Sequence, residues 1–148
     1  MFLILSQALF LDKKFLKKLL YWKEKYTLSM VTNKRTLGNI GEEMAIPYLE
    51  EKGYEIIERN ATFLGGELDI IAQYDWLWRF VEVKYRETTM FGMPEDAMTP
   101  KKIKTLLRAI EFYCLKKDID ILEVRLDFLG ILKMPDGVYE YRLIQDIN

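Results

Sequence analysis

Three charged residues stand where charge is least expected. Gly65-Gly66-Glu67-Leu68-Asp69-Ile70-Ile71 leads, after a short break, into Phe80-Val81-Glu82-Val83-Lys84. Both stretches read as buried strands, and buried strands carry charges at a cost unless those charges act together. Two carboxylates and an ammonium at this spacing suit a divalent-metal site for cutting a phosphodiester bond. The carboxylates would hold the ion, while the lysine would serve the attacking water and the charge developing on phosphate.

Composition narrows the chemistry further. The chain of 148 residues has no histidine and one cysteine, Cys114. That removes Ser-His-Asp and Cys-His mechanisms, imidazole bases and ordinary zinc sites. Carboxylates and lysine are left, and with them an oxygen-ligated ion, Mg²⁺ or Mn²⁺. A single cysteine fits a reducing cytoplasm. The formal net charge is −1, which weighs against a nucleic-acid ligand, because such binders are usually basic on one face.

Strand alternation places the charged set. Glu67, Asp69, Ile71 and Gln73 share one face, with Leu68, Ile70 and Ala72 on the other. On the next strand Trp78, Phe80, Glu82, Lys84 and Arg86 share a face. Matching Leu68 and Ile70 with Val83 and Val81 predicts a hairpin register centred on Asp75-Trp76, with Asp69 opposite Glu82 and Glu67 opposite Lys84. Directly opposed carboxylates repel, and a divalent cation relieves that repulsion. A Glu-x-Lys alone is better read as part of an ordinary ion-pair network; Asp69 in register favours a site. Glu42 falls at i, i+3, i+7 with Ala45 and Leu49 on the apolar side of a predicted helix. It is a candidate third carboxylate, or else an acid placed at the helix N-terminus by the dipole.

The positioning elements follow from punctuation. A helix is predicted from near Gly38 to Lys52, stopped by Gly53 and bent at Pro47. Strands are predicted over Tyr54–Arg59, Glu67–Gln73, Leu77–Arg86, Ile121–Lys133 and Val138–Ile144. Thr99-Pro100 starts a second helix that runs to about Lys117. Lys101, Lys102, Lys104 and Arg108 make its first half basic; the plain reading is a solvated face, and the functional one is a contact with phosphates. Residues 1–29 carry six lysines against two acids, interleaved with Phe15, Leu16, Leu19, Leu20 and Trp22. They read as a basic amphipathic extension, too short in its apolar part for the ~20 residues of a membrane span. Met30 would then begin the domain, residues 30–148.

Several short patterns together are more specific than any one. Gly38-x-x-Gly41-Glu42-x-x-Ala45-x-x-Tyr48-Leu49, Gly53-Tyr54, Arg59-Asn60, Gly66-Glu67-Leu68-Asp69-Ile70-Ile71-Ala72, Phe80-Val81-Glu82-Val83-Lys84-x-Arg86 and Phe91-Gly92-x-Pro94 resemble the YraN-type family of small bacterial proteins. That family is similar to Holliday-junction resolvases and to the restriction-endonuclease-like PD-(D/E)xK superfamily. The resemblance implies an α/β fold with a mixed central β-sheet flanked by helices, and catalytic positions at Glu42, Asp69, Glu82 and Lys84. Leu68 replaces the signature proline. The expected ligands of Mg²⁺ or Mn²⁺ are Asp69, Glu82 and Glu42. The expected DNA contacts are Lys101, Lys102, Lys104, Arg108 and Arg86, with branched DNA a candidate substrate. The alternative is a non-catalytic module that binds nucleic acid or a partner, or forms a homodimer; the acidic balance points that way. No P-loop and no GxGxxG pattern supports a nucleotide-dependent small-molecule enzyme.

Overall fold

The computed structural model describes residues 35–64 and 66–147. The expectations for residues 1–29 lie outside this range. Within it the chain forms an α/β domain. Helix α1 covers residues 35–51, followed by β1 (Glu55–Phe63), β2 (Gly66–Tyr74), β3 (Leu77–Arg86), α2 (Pro100–Lys117), β4 (Val124–Lys133) and β5 (Tyr139–Ile144).

The strands form one mixed sheet in the order β1-β2-β3-β4-β5. All neighbours are antiparallel except β3 and β4. That parallel pair needs a crossover, and α2 supplies it. One core cluster lies on the α2 side, where Leu106, Ala109, Ile110 and Tyr113 pack on Leu68, Ile71, Phe80, Val124 and Leu126. The other lies on the α1 side, where Ala45 and Leu49 pack on Ile70, Ala72, Val81, Val83, Leu129 and Ile131. β3 is covered on both faces, which is why its sequence is apolar without simple alternation.

Local chemistry explains the element ends. α1 continues through Pro47, which is exposed. It stops at Gly53, where φ is 93°. There Tyr54 N–H donates to the Leu49 carbonyl and Gly53 N–H to that of Glu50, a Schellman closure. α2 starts as expected, with the Thr99 hydroxyl accepting from Lys102 N–H at 3.2 Å. The β2–β3 turn is tight because Asp75 and Trp76 both take positive φ, 52° and 65°, as a two-residue I′ turn requires.

Three expectations need correction. β1 runs to Phe63 instead of ending at Arg59, because Ala61, Thr62 and Phe63 still find partners on β2. β4 begins at Val124, since Ile121–Glu123 forms a 3-10 turn capped by the Asp120 carboxylate. Leu68 packs in the same cluster as Ile71, on the α2 side, so strict alternation along β2 breaks at Asp69.

Candidate functional site

Asp69 sits where two strands begin to part. The β2–β3 pairs run from Tyr74–Leu77 to Ile70–Val81, the predicted register. At the next position the Asp69 carboxylate takes the place of the backbone, accepting from Val83 N–H at 2.9 Å. The backbone pairs end there, so the predicted Asp69–Glu82 and Glu67–Lys84 pairs do not form; Asp69 and Glu82 are brought together by their side chains. On the other side of β2, Arg59 pairs with Ile70 and Ala61 with Leu68, which puts Asn60 across from Asp69.

The electrostatics of Asp69 and Glu82 are those of two carboxylates short of positive charge. Burial raises the pKa of both. For Asp69 the Val83 amide and the Lys102 charge oppose the rise. Glu82 is pushed up to about 7, first by burial and then by the charge of Asp69, despite Lys102 and Lys84. Desolvation and like charge therefore outweigh two lysines. Glu82 Oε1 pairs with Lys102 Nζ at 2.8 Å. Its Oε2 is buried and meets no donor group, while the Glu82 carboxyl lies within hydrogen-bonding reach of the Asp69 carboxylate; a shared proton or a cation relieves that contact.

Lys84 is half-buried on the same strand. Burial, then the charge of Arg86, draws its ammonium below the usual lysine value. Arg86 follows, half-buried, its Nε without a partner.

α1 is brought to the site by a close approach. A Cβ on Gly41 would lie 2.7 Å from the Tyr85 Cβ, so only glycine lets the helix backbone rest on β3 there. The next residue, Glu42, is raised by burial and by the charge of Asp69, and lowered by a hydrogen bond from the Asn60 side chain. Yet among the described residues no group of three or more Cys, Asp or Glu side chains is gathered as a metal cage. The structure thus brings Asp69 and Glu82 together and leaves Glu42 at the edge, engaged by Asn60. Glu67 is exposed.

The basic helix divides in two. Lys101, Lys104 and Arg108 are exposed and, at i, i+3 and i+7, share one side of α2. Lys102 instead turns to Glu82 and belongs to the site. Asn60 was not among the expected site residues; its φ of 52° inside a strand is a structural signal that sequence periodicity does not carry. An open cleft of about 770 Å³ lies beyond the site, lined by Thr88, Thr89, Leu132 and Arg142 among others, and contains none of the expected residues.

The donor set fits a hard divalent ion of the kind that keeps water and takes one or two protein carboxylates. Asp69 and Glu82 supply these, and the unpartnered Oε2 is a free acceptor. No described helix is long and apolar enough to cross a membrane.

Comparison with known proteins agrees with the motifs. The family model of the uncharacterised protein family UPF0102 matches residues 41–131, a span that includes Glu42, Asp69, Glu82, Lys84 and Lys102. The chain is 42% identical over 97 residues to a UPF0102 protein of Flavobacterium psychrophilum, covering 66% of this chain and 81% of that one. It is 41% identical over 99 residues to a UPF0102 protein of Carboxydothermus hydrogenoformans, covering 67% and 84%. Against a UPF0102 protein of Syntrophomonas wolfei the identity is 45% over 103 residues, covering 70% and 89%. The chain belongs to UPF0102, the YraN-type family that its motifs resemble.

Proposed function

We propose that this domain is a metal-dependent DNA endonuclease hydrolysing phosphodiester bonds, working in the cytoplasm, with branched DNA as a candidate substrate. The observation that carries the reading is the pairing of half-buried Asp69 with buried Glu82, with Glu82 Oε2 unpartnered and Lys84 on the same strand. Asp69 and Glu82 would hold Mg²⁺ or Mn²⁺, which supplies polarisation of the phosphate and a more acidic water.

The remaining roles belong to the chain itself. The Val83 amide fixes the Asp69 carboxylate, so one ligand is oriented by backbone. Lys84, half-buried and less basic than a surface lysine, can donate to the attacking water and to the phosphate oxygens, where charge grows in the transition state. Glu42, from α1, feels the charge of Asp69 and is held by a hydrogen bond with Asn60 of β1. Lys101, Lys104 and Arg108 would meet phosphates of the same strand, a sequence-independent contact.

The test is cleavage of linear, flapped and four-way DNA with Mn²⁺, by wild type, Asp69→Asn and Lys84→Ala. Cleavage should vanish in Asp69→Asn together with metal binding, and fall in Lys84→Ala with metal binding kept. A second reading, a non-catalytic binding module, is favoured by one observation: Glu42 does not converge with the other two carboxylates. DNA binding by wild type with no cleavage on any substrate would select it.

A further inference from the structure

Lys102 is at an unexpected place for a lysine. It is the third residue of α2, counted from Pro100 after the Thr99 cap. The positive end of the helix dipole favours acids there, often a Glu at this position. The first turn of α2 contains no acidic residue. Lys102 turns its ammonium to Glu82 Oε1 instead, at 2.8 Å, with side-chain exposures of 39% for Lys102 and 10% for Glu82. The carboxylate is fixed in the sheet, and the ammonium reaches it on a flexible stem from the solvent edge.

We infer that Lys102 is a resident counter-cation for the Asp69–Glu82 pair, an ammonium that an incoming divalent ion displaces from Glu82. One ammonium leaves the pair undercompensated: Lys102 reaches only Oε1, and Glu82 Oε2 remains buried without a hydrogen-bond donor. A divalent ion supplies the missing charge and competes for the same carboxylate. Lys102 can leave without disturbing the core, because its stem is half exposed. Once released, it joins Lys101 and Lys104 on the exposed start of α2, where an anionic ligand of the ion would meet it. This inference rests on the metal site proposed above.

The test needs no DNA. In the full chain at about pH 8, where lysine is charged, Mn²⁺ affinity is measured by titration calorimetry for wild type, Lys102→Gln and Lys102→Arg. Lys102→Gln should bind Mn²⁺ about fivefold tighter, the worth of one partly exposed ion pair that no longer has to break. Lys102→Arg, which keeps the pair, should bind like wild type. In ¹³C-lysine NMR, the Lys102 Cε–Hε signal of wild type should move on saturation with Mg²⁺. Unchanged or weaker Mn²⁺ binding by Lys102→Gln, a static Lys102 signal, or no ion binding by either protein would overturn the inference. Tighter binding by Lys102→Gln in a protein that cuts no DNA would leave it standing and remove the nuclease reading instead.

Discussion

The two faces of the β3–β4 pair each bury charge, and they treat it differently. On the α1 side Asp127 is fully buried, but both its oxygens are occupied. Oδ1 accepts from Arg79 NH1 at 3.0 Å and Asp146 N–H at 3.0 Å, and Oδ2 accepts from Tyr54 OH at 2.9 Å. Arg79 adds a second carboxylate, Asp146, at 2.7 Å. On the α2 side Glu82 has one partner and one bare oxygen, with Asp69 as a like-charged neighbour. Sign separates them: Asp127 faces a guanidinium, whose Nε is itself without a partner, whereas Glu82 faces a second carboxylate. The first cluster is a structural brace; the second is unfinished in the way a ligand site is unfinished.

The largest expected effect breaks the brace. Asp127→Ala leaves the buried Arg79 without its main counter-charge, and should cost about 3–5 kcal/mol in urea unfolding. The same substitution should leave Mn²⁺ affinity unchanged, since Asp127 faces away from Asp69. Equal damage to metal binding would show that the two clusters are coupled.

Glu82→Gln should act in the opposite direction. A carboxyl raised from 4.5 to about 7 in the fold binds its proton more tightly folded than unfolded. Its contribution to stability is complete below the unfolded value and is lost as pH rises through about 7. Metal-free wild type should therefore be less stable at pH 8 than at pH 5, by up to about 3 kcal/mol from this group. Glu82→Gln should flatten that dependence in EDTA and be the more stable protein at pH 8. A steeper decline in the mutant would mean that Lys102 already balances the site.

Gly41→Ala tests how the α1 side positions Glu42. The added methyl meets the Tyr85 Cβ, so α1 must shift; about 1–3 kcal/mol should be lost in thermal unfolding. An unchanged melting temperature would show that the helix gives way freely. The smallest effect on stability belongs to the outer basic residues. Changing Lys101, Lys104 and Arg108 to Glu should alter unfolding by no more than about 0.5 kcal/mol. It should weaken DNA binding across all sequences and flatten its salt dependence. Wild-type DNA affinity in that variant would move the contact surface off α2.

Much of this was legible in the chain. The hairpin register could be read as far as Ile70–Val81, because those residues must face the same core; beyond it Leu68 turns to the other core and the pairing ends. The start of α2 was fixed by a threonine and a proline with unambiguous local roles. What escaped depends on distant partners. Asn60 continues β1 only because β2 lies beside it, and periodicity gives a polar residue there no reason to be a strand. Lys102 carries the same charge as its neighbours, and its turn toward Glu82 is decided by where the crossover lands. Glu42 lies on the side of α1 that was predicted, but its last step toward the other carboxylates is set by a hydrogen bond from Asn60.

The sheet order has a consequence for assembly. Asp69, Glu82, Lys84 and Lys102 all come from the hairpin and the start of its crossover, a nearly local stretch of chain. The brace instead ties Tyr54 to Asp127 and Gln145, across separations of 73 and 91 residues, and closes only when the C-terminal strand arrives. Short loops close at less entropic cost than long ones, so low contact order favours the hairpin as the earlier event. Local opening of the C-terminal end would then loosen Tyr54 and Arg79 first, and hydrogen exchange should find the Val83 amide, held by Asp69, among the slower ones.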